Sequence, residues 1–174
     1  MEIREAAATD AMAVADVHVR SWKSAYPGMI PQDYLDNLRP EDRLRSWVTV
    51  LGTSEWPRSG ILVLSEDDQV SGFSHLCPTR DEDRDPRTTG EITSIYLAPE
   101  AWGAGNGVAL MNASLERLRS AGYEMATLWA LDTNTRARRF YEIGGWIPDG
   151  TTKIHDWGPF VCTDVRYVLD LKGS

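Results

Sequence analysis

The stretch Glu91-Ile92-Thr93-Ser94-Ile95-Tyr96-Leu97, followed by the turn Trp102-Gly103-Ala104-Gly105-Asn106-Gly107, decides the fold of this chain. The first segment is rich in β-branched and aromatic residues and is closed by Pro99, which predicts a strand. The turn leads into apolar residues at helical spacing that begin at Val108, and a further strand is predicted at 125–131. A strand, a helix and a second strand in this order form a crossover, so the two strands are expected to run parallel.

The rest of the chain predicts antiparallel strands around this parallel pair. No internal repeat or Gly/Ser-rich linker divides the sequence, so we expect a single domain over residues 1–174. The fold class is α/β (α+β), with a mixed, mostly antiparallel central sheet and helices on both faces. The other predicted elements are strands at 3–6, 61–65, 70–76, 151–157 and 161–171, a turn at Asp67-Asp68, a charged loop at 78–90, and helices at 10–22, 135–143 and from Pro31 and Pro40 onward.

Composition and charge exclude several classes of protein. The chain carries a formal net charge of −8 from 26 acidic and 18 basic residues. Nucleic-acid binding needs clustered Lys and Arg, so we expect no nucleic-acid partner. An acidic surface suits a cationic substrate, although its commonest meaning is solubility.

The sequence also bears on location and metal binding. It lacks an apolar run of about 18 residues, and its N-terminus lacks the apolar stretch of a signal peptide. We therefore expect no membrane association and a cytoplasmic protein. The cysteines Cys77 and Cys162 are too few for a disulfide framework, and we expect no metal.

The turn at 102–107 follows a strand and opens a helix, where backbone N–H groups and the helix dipole can bind a pyrophosphate. The dinucleotide fingerprint Gly-x-Gly-x-x-Gly fails, because its third glycine, counted from Gly103 and Gly105, would fall on Val108. A Walker A loop fails too, since the Gly-Lys-Ser/Thr ending is missing. A tight turn without a ligand remains an alternative. An acidic residue that opens the preceding strand, with an Asn and a Tyr in the next crossover, favours a ligand site.

These residues resemble the GNAT superfamily of acetyl-CoA-dependent N-acetyltransferases, whose pyrophosphate loop reads Gln/Arg-x-x-Gly-x-Gly/Ala. Trp102, Gly105 and Gly107 occupy the fixed places. The segment Asn134-Thr135-Arg136-Ala137-Arg138-Arg139-Phe140-Tyr141-Glu142-Ile143-Gly144-Gly145-Trp146 resembles the second motif of the family, in which an Asn and a Tyr face the cofactor. The segment Ser21-Trp22-Lys23-Ser24-Ala25-Tyr26-Pro27-Gly28 is similar to an acceptor-loop segment of bacterial members. The resemblance implies a GNAT-like fold that uses acetyl-CoA as co-substrate.

The resemblance also implies how the cofactor is held. The pantetheine arm would pair like an extra strand with the backbone of 91–97, and the N–H of Ile95 would donate to the thioester carbonyl oxygen. The implied cofactor-binding residues are Ile95, Tyr96, Leu97, Trp102, Gly103, Ala104, Gly105, Asn106, Gly107, Val108 and Asn134.

Two catalytic residues follow from the same resemblance. Glu91 matches a strand carboxylate that, in the family, activates the incoming amine. This activation is needed because an alkylammonium, with a pKa of about 10.4, cannot attack before it loses a proton. Glu91 could instead be an exposed acid at a strand end, and His75 is a second candidate base. Tyr141 would donate a proton to the leaving thiolate, or it could serve packing alone. Asn134 fits both a pantetheine contact and a helix N-cap, which are compatible roles.

On the acceptor side, the resemblance implies a substrate site lined by Trp22, Tyr26, His75, His155 and Trp157. Aromatic walls suit a cation or an apolar amine, although each of these residues could instead pack in the core. The expected acceptor is a small-molecule amine, or the N-terminal or lysine amine of a protein, and a homodimer stays open.

Two functions from other classes compete with an acetyltransferase. A non-catalytic acyl-CoA sensor would have no use for both Glu91 and Tyr141, so their joint presence favours an enzyme. A nucleotide-binding module is disfavoured by the failed fingerprints.

Overall fold

The strands form one seven-stranded sheet in the computed structural model, which describes residues 1–67 and 69–173. The strands are β1 (Glu2–Glu5), β2 (Gly60–Glu66), β3 (Gln69–Pro78), β4 (Thr89–Leu97), β5 (Met125–Leu131), β6 (Ile147–Asp156) and β7 (Val161–Asp170). Their order across the sheet is β1-β2-β3-β4-β5-β7-β6. Within this sheet β4 and β5 run parallel, and the other neighbouring strands are antiparallel. The predicted parallel crossover and the mixed, mostly antiparallel sheet are confirmed.

Helices cover both faces of the sheet, as predicted. They are α1 (Ala11–Ala25), α2 (Gln32–Asn37), α3 (Pro40–Gly52), α4 (Asn106–Ser120) and α5 (Thr135–Ile143), with short 3₁₀ turns at Ala8–Asp10 and Pro99–Ala101. Within the described residues, none of these helices has the length and hydropathy needed to cross a membrane.

Two apolar layers hold the helices on the sheet. On one face, Val14 and Val17 of α1 and Trp47 of α3 pack against Val63 and Phe73. On the other face, the buried side chains of α4 and α5 pack against the opposite side of the same strands. The residues of this second layer include Leu110, Leu118, Ile92, Leu128, Tyr141, Trp146 and Tyr167. Because strand side chains alternate between faces, the central strands are apolar on both sides.

Two residues with positive φ lie at the end of α4 and in the turn after β2. Gly122 follows α4 with φ of +83°, a left-handed conformation that suits glycine at a helix C-terminus. Asp67 also has a positive φ, of 49°, where β2 turns toward β3. Asp68, the other residue of the predicted hairpin turn, lies outside the described residues.

Strand β6 begins at Ile147, earlier than the predicted start at 151. The register between β6 and β7 shifts between Pro148 and Thr152, so the chain pairs, bulges out and pairs again. The bulge places the Asp149 carboxylate 2.9 Å from Nε of the buried Arg166.

The loop between β3 and β4 is held in place by that arginine. Arg166 is 2% exposed and donates to Asp81 at 3.1 Å and to Asp83 at 2.7 Å. Trp129 Nε1 also donates to Asp81, at 3.1 Å. A buried arginine that pairs with several carboxylates fixes the backbone that carries them. The loop therefore holds Arg80, which directly precedes Asp81, at a defined place beside β4.

Candidate functional site: a gap in the sheet between two cavities

The sheet splits between β4 and β5. These strands pair over Thr89–Ile92 and Met125–Leu128, and beyond that point the described residues pair only outward, β4 with β3 and β5 with β7. A register shift next to Ile92 leaves Thr93 as a bulge in β4. We call the space between 94–97 and 129–131 the gap.

The backbone of β4 presents hydrogen-bonding groups to this gap. The N–H of Ala98 donates to the Ser71 carbonyl at 2.8 Å, on the side of β3. The backbone N–H and C=O groups of successive residues face opposite edges of a strand. Those of Tyr96 therefore also face β3, and those of Ile95 and Leu97 face the gap. The Leu97 carbonyl accepts a hydrogen bond from Trp102 Nε1 at 3.0 Å. The gap is thus bordered by a free edge of β4, and an extended ligand can pair with that edge.

A cavity of about 430 Å³ lies on one side of the gap, next to the glycine turn, and we call it the turn cavity. Gly103 and Gly105 have φ of +83° and +81°, and a Cβ built on either would meet no atom within 4 Å. Gly105 precedes the first residue of α4, so the first N–H groups of that helix lie at this cavity. The turn cavity is lined by Ser21, Ser24, Ala25, Tyr26, Met29, Ile95, Tyr96, Leu97, Trp102, Gly103, Gly105, Gly107, Val108, Asn134, Arg136, Ala137, Phe140 and Tyr141.

Two residues of the turn predicted as cofactor contacts do not line the turn cavity within the described chain. They are Ala104 and Asn106. The Asn106 side chain donates to the Ala101 carbonyl at 3.0 Å, which ties the start of α4 to the preceding 3₁₀ turn. Val108, an apolar residue 53% exposed, does line the cavity.

Trp102 contacts an arginine that the sequence analysis did not single out. The Arg136 guanidinium lies 4.2 Å from the centre of the Trp102 ring, and both residues line the turn cavity. Trp102 occupies the place where the GNAT loop pattern has Gln or Arg. The stacked Arg136 therefore supplies a positive charge beside a residue that has none.

Helix α5 and its N-cap carry the predicted Tyr141 and Asn134 to the gap. Asn134 Oδ1 accepts from the Ala137 N–H at 3.1 Å, so the predicted N-cap role is confirmed, and the residue also lines both cavities. Tyr141 is 9% exposed and lines both cavities as well. Burial raises the pKa of Tyr141, and the hydroxyls of Tyr96 and Tyr167 raise it further. The Tyr141 hydroxyl therefore keeps its proton at neutral pH and can donate it into the gap.

A second cavity, of about 310 Å³, lies on the other side of the gap, and we call it the Glu91 cavity. Glu91, 1% exposed, is a buried wall residue and not the exposed strand-end acid considered as an alternative. The Glu91 cavity is lined by His18, Trp22, Tyr26, Ile30, Arg80, Glu91, Ile92, Thr93, Ser94, Ile95, Tyr96, Leu128, Trp129, Ala130, Leu131, Asn134, Ala137, Tyr141, Lys153, His155, Trp157, Cys162 and Asp164. Ile95 and Tyr141 belong to both cavities, so the two meet at the gap.

Both carboxylate oxygens of Glu91 accept hydrogen bonds from Arg80. Nη2 donates to Oε1 at 2.6 Å, while Nε and the backbone N–H donate to Oε2 at 3.2 and 3.0 Å. The Arg80 side chain is 67% exposed, so it covers the carboxylate from the solvent side. A carboxylate oxygen has two acceptor sites, so Oε1 keeps one for a further donor.

The predicted aromatic residues of the acceptor side do come together. The Trp22 ring lies 5.1 Å from Tyr26 and 5.8 Å from Trp157, and His155 lies 5.9 Å from Trp157. All four residues line the Glu91 cavity.

His75 lies apart from this group. Its Nδ1 is 2.6 Å from Thr93 Oγ1, its ring packs on Trp47, and it lines neither cavity within the described residues. Burial and the Arg80 charge lower the pKa of His75 to about 4, although the Glu91 carboxylate acts in the opposite direction.

Sequence reasoning missed several charged residues of the Glu91 cavity: Arg80, Lys153 and Asp164. Asp164 Oδ2 lies 3.2 Å from His155 Nδ1, across the β6–β7 pair. For Lys153 and Asp164, the signal in the sequence is the alternation of side chains along β6 and β7. This alternation places residues 153, 155 and 164 on one face of the sheet once the register is known.

Comparisons with known proteins agree with this geometry. The family model described as Acetyltransferase (GNAT) family matches residues 21–145. The uncharacterized N-acetyltransferase YuaI of Bacillus subtilis is 31% identical over 76% of this chain and 72% of its own. An uncharacterized N-acetyltransferase of Archaeoglobus fulgidus is 31% identical over 81% of this chain and 89% of its own.

A solved structure shows the same fold. The paia N-acetyltransferase of Thermoplasma acidophilum, in complex with coenzyme A, superposes with a TM-score of 0.79 at 20% identity, over 97% of this chain and 98% of its own. The matched residues 21–145 contain the split strands, the glycine turn and the start of α5. This chain belongs to the GNAT family of acetyltransferases, and it is an acyltransferase.

Proposed function

We propose that this enzyme transfers the acetyl group of acetyl-CoA to an amine by direct attack, with both substrates bound at once. The observation that carries the proposal is the gap, because it joins a cavity beside a phosphate-type turn to a cavity with a buried carboxylate. When bound, acetyl-CoA supplies a thioester whose carbonyl carbon is open to a nitrogen nucleophile. Two cavities that meet at one point allow the nitrogen and the thioester to approach without a covalent enzyme intermediate.

The residues of the turn cavity fit this co-substrate. The free edge at Ile95 and Leu97 can pair with an extended amide-bearing arm, and the exposed N–H groups at the start of α4 suit a pyrophosphate. The open space around Gly103 and Gly105 leaves the backbone accessible to a large anion. Arg136, stacked on Trp102, adds a positive charge on the same wall.

The residues at the gap would perform the chemistry. The N–H of Ile95 would donate to the carbonyl oxygen as negative charge develops, a contribution of about 2.7–4 kcal/mol for one such donor. Tyr141 would give its proton to the departing sulfur. Glu91 would accept a proton from the amine through the free acceptor site of Oε1.

The Glu91 cavity supports a compact amine, or the narrow amine terminus of a longer chain, as the acceptor. Its volume of about 310 Å³ is at the lower end for small-molecule sites. Its walls combine aromatic rings, which suit a cation or an apolar amine, with two carboxylates, of Glu91 and Asp164, and two basic side chains, of Arg80 and Lys153. A protein amine would reach the gap only through this cavity, so its flanking residues would remain outside.

Two measurements test the proposal. Acetyl-CoA should raise the melting temperature, whereas NAD and ATP at equal concentration should not, because a ligand stabilises only the state that binds it. Release of free CoA thiol should then be followed with spermidine, kanamycin, L-phenylalanine and a tetrapeptide that begins with alanine. Stabilisation without turnover of any probe would favour the acyl-CoA sensor, and no stabilisation at millimolar acetyl-CoA would end the proposal.

A further inference from the structure

Acetylation of an ammonium group requires more than one proton acceptor, and this argument rests on the function proposed above. An alkylammonium nitrogen carries three hydrogens, and the nitrogen of its amide product carries one. The N–C bond forms, the C–S bond breaks, and the sulfur takes one proton, so a second proton must reach solvent. Glu91 can hold one proton at a time and is shielded from solvent. The Glu91 cavity should therefore contain another acceptor with access to water.

The side chains of His155 and Asp164 lie in close contact in the lining of the Glu91 cavity. His155 Nδ1 lies 3.2 Å from Asp164 Oδ2, with side chains 33% and 14% exposed. A carboxylate only accepts, so this contact places the ring proton of a neutral imidazole on Nδ1. Nε2 is then left with a lone pair.

This pair lies next to the gap. Asp164 is the register partner of Leu131, the last residue of β5, where the gap is open. Burial raises the pKa of both Tyr26 and Tyr96, and the Asp164 carboxylate adds to the rise in each. The Asp164 carboxylate is therefore within electrostatic range of two hydroxyls that line both cavities.

The other two histidines are unsuitable as acceptors. His18 Nδ1 accepts from Trp47 Nε1 at 3.2 Å, so a neutral His18 ring carries its proton on Nε2 and has no free lone pair. Burial, with a smaller effect of the Arg43 charge, lowers the pKa of His18 to about 3. His75 lies outside the lining of the cavity.

We propose that His155 is the second proton acceptor of the Glu91 cavity, with Asp164 as its positioning residue. One proton of the substrate nitrogen goes to Glu91, from which it replaces the proton that Tyr141 gives to sulfur, and the other goes to Nε2 of His155. Asp164 stabilises the imidazolium that forms, and this second proton passes to water at the exposed edge of the ring. The charged and titratable groups that line the cavity with this ring include His18, Tyr26, Arg80, Glu91, Tyr96, Tyr141, Lys153, Cys162 and Asp164. Asp132 also acts on Asp164 and Cys162.

The kinetic test uses His155→Gln and Asp164→Asn with whichever of the four probe amines the wild type acetylates. His155→Gln should lower kcat roughly 10²-fold at about pH 7 and change the shape of the pH profile of kcat between about pH 6 and 9. Asp164→Asn should show a smaller loss in the same direction. Ile154→Thr is the matched control, since Ile154 is the neighbouring residue of β6 and is 72% exposed. The Ile154→Thr variant should leave the pH profile of kcat unchanged.

Two kinetic outcomes would overturn the proposal. One is a His155→Gln profile that superimposes on the wild type, and the other is a rise in KM alone, which would make His155 a binding residue. The acetyl-CoA melting shift must be kept in both variants, which separates a local defect from misfolding.

A second measurement needs no turnover. The chain has three histidines, so ¹⁵N signals of labelled protein can be assigned from single His→Gln variants. Neutral His155 should show the Nδ1–H form, and Asp164→Asn should weaken that preference. An Nε2–H form of His155 in the wild type would overturn the proposal even if no probe is acetylated. Absence of a melting shift with acetyl-CoA in the wild type would instead refute only the proposed function.

Discussion

The two cavities that meet at the gap are built in different ways. The turn cavity depends largely on backbone: the free edge of β4, the positive-φ glycines and the start of α4 all lie within residues 94–107. The Glu91 cavity depends on side chains from α1, the β3–β4 loop, β4, β5, β6 and β7. Backbone groups are the same in any sequence of this fold, so they suit a ligand shared by a family. Side chains brought from distant elements can differ between relatives, so they suit the acceptor that distinguishes one relative from another.

The largest expected effect is at Tyr141, where the two cavities meet. Tyr141→Phe keeps the ring and its packing but removes the hydroxyl, so turnover should fall roughly 10²- to 10⁴-fold with acetyl-CoA affinity nearly unchanged. Steady-state kinetics and calorimetry check the two halves of this statement. Tyr123→Phe is a matched control, because its hydroxyl donates to the Arg58 carbonyl away from the gap. Normal turnover of Tyr141→Phe would leave Tyr141 with a packing role only.

The next prediction concerns the side-chain-built cavity. Glu91→Gln keeps the shape of the side chain but removes the proton acceptor, so turnover should fall roughly 10²-fold at about pH 7. The defect should shrink toward about pH 9.5, because more of the substrate amine is then deprotonated in solution. A pH profile of kcat/KM measures this.

Arg80→Met is the companion variant for Glu91. It leaves the carboxylate and the backbone N–H contact to Oε2 in place and removes only the two guanidinium contacts, so it should retain much more activity than Glu91→Gln. Equal losses in the two variants, or a Glu91→Gln defect that is constant with pH, would mean that the pair has a structural role.

How much could be predicted from sequence follows the same division between cavities. The strand at 91–97, the glycine turn and Asn134 with Tyr141 are local patterns, and the free edge of β4 follows from the resemblance that these patterns carry. The Arg80–Glu91 pair could not be predicted, because Arg80 lies in a loop whose path depends on the distant Arg166. The His155–Asp164 contact required the register of β6 on β7, and the bulge at Asp149 makes that register unreadable from spacing alone.

A smaller effect tests the backbone-built cavity. Gly105→Val forces a β-branched residue into φ of +81°, a strain of about 1–3 kcal/mol, and places atoms in the space where a pyrophosphate would approach. Acetyl-CoA affinity should fall roughly tenfold, measured by calorimetry. Gly122→Val is the control at the other end of α4, since its φ of +83° and open surroundings impose the same strain away from the cavity. If both variants lose affinity equally, helix stability and not the turn is responsible.

The smallest predicted effect separates the two contacts of Trp102, the residue that departs from the usual loop pattern. Trp102→Phe removes the indole N–H that donates to the Leu97 carbonyl at 3.0 Å, but keeps a ring for the Arg136 guanidinium. One hydrogen bond contributes about 0.5–1.5 kcal/mol net, so acetyl-CoA affinity should fall roughly 2- to 10-fold. Trp102→Leu removes the ring as well and should weaken binding further, with an added loss that is greater at low salt, because the freed Arg136 can no longer be held beside the turn. If the two variants bind alike at every salt concentration, the stacked Arg136 contributes nothing to binding, and the contact with Leu97 accounts for the whole role of Trp102.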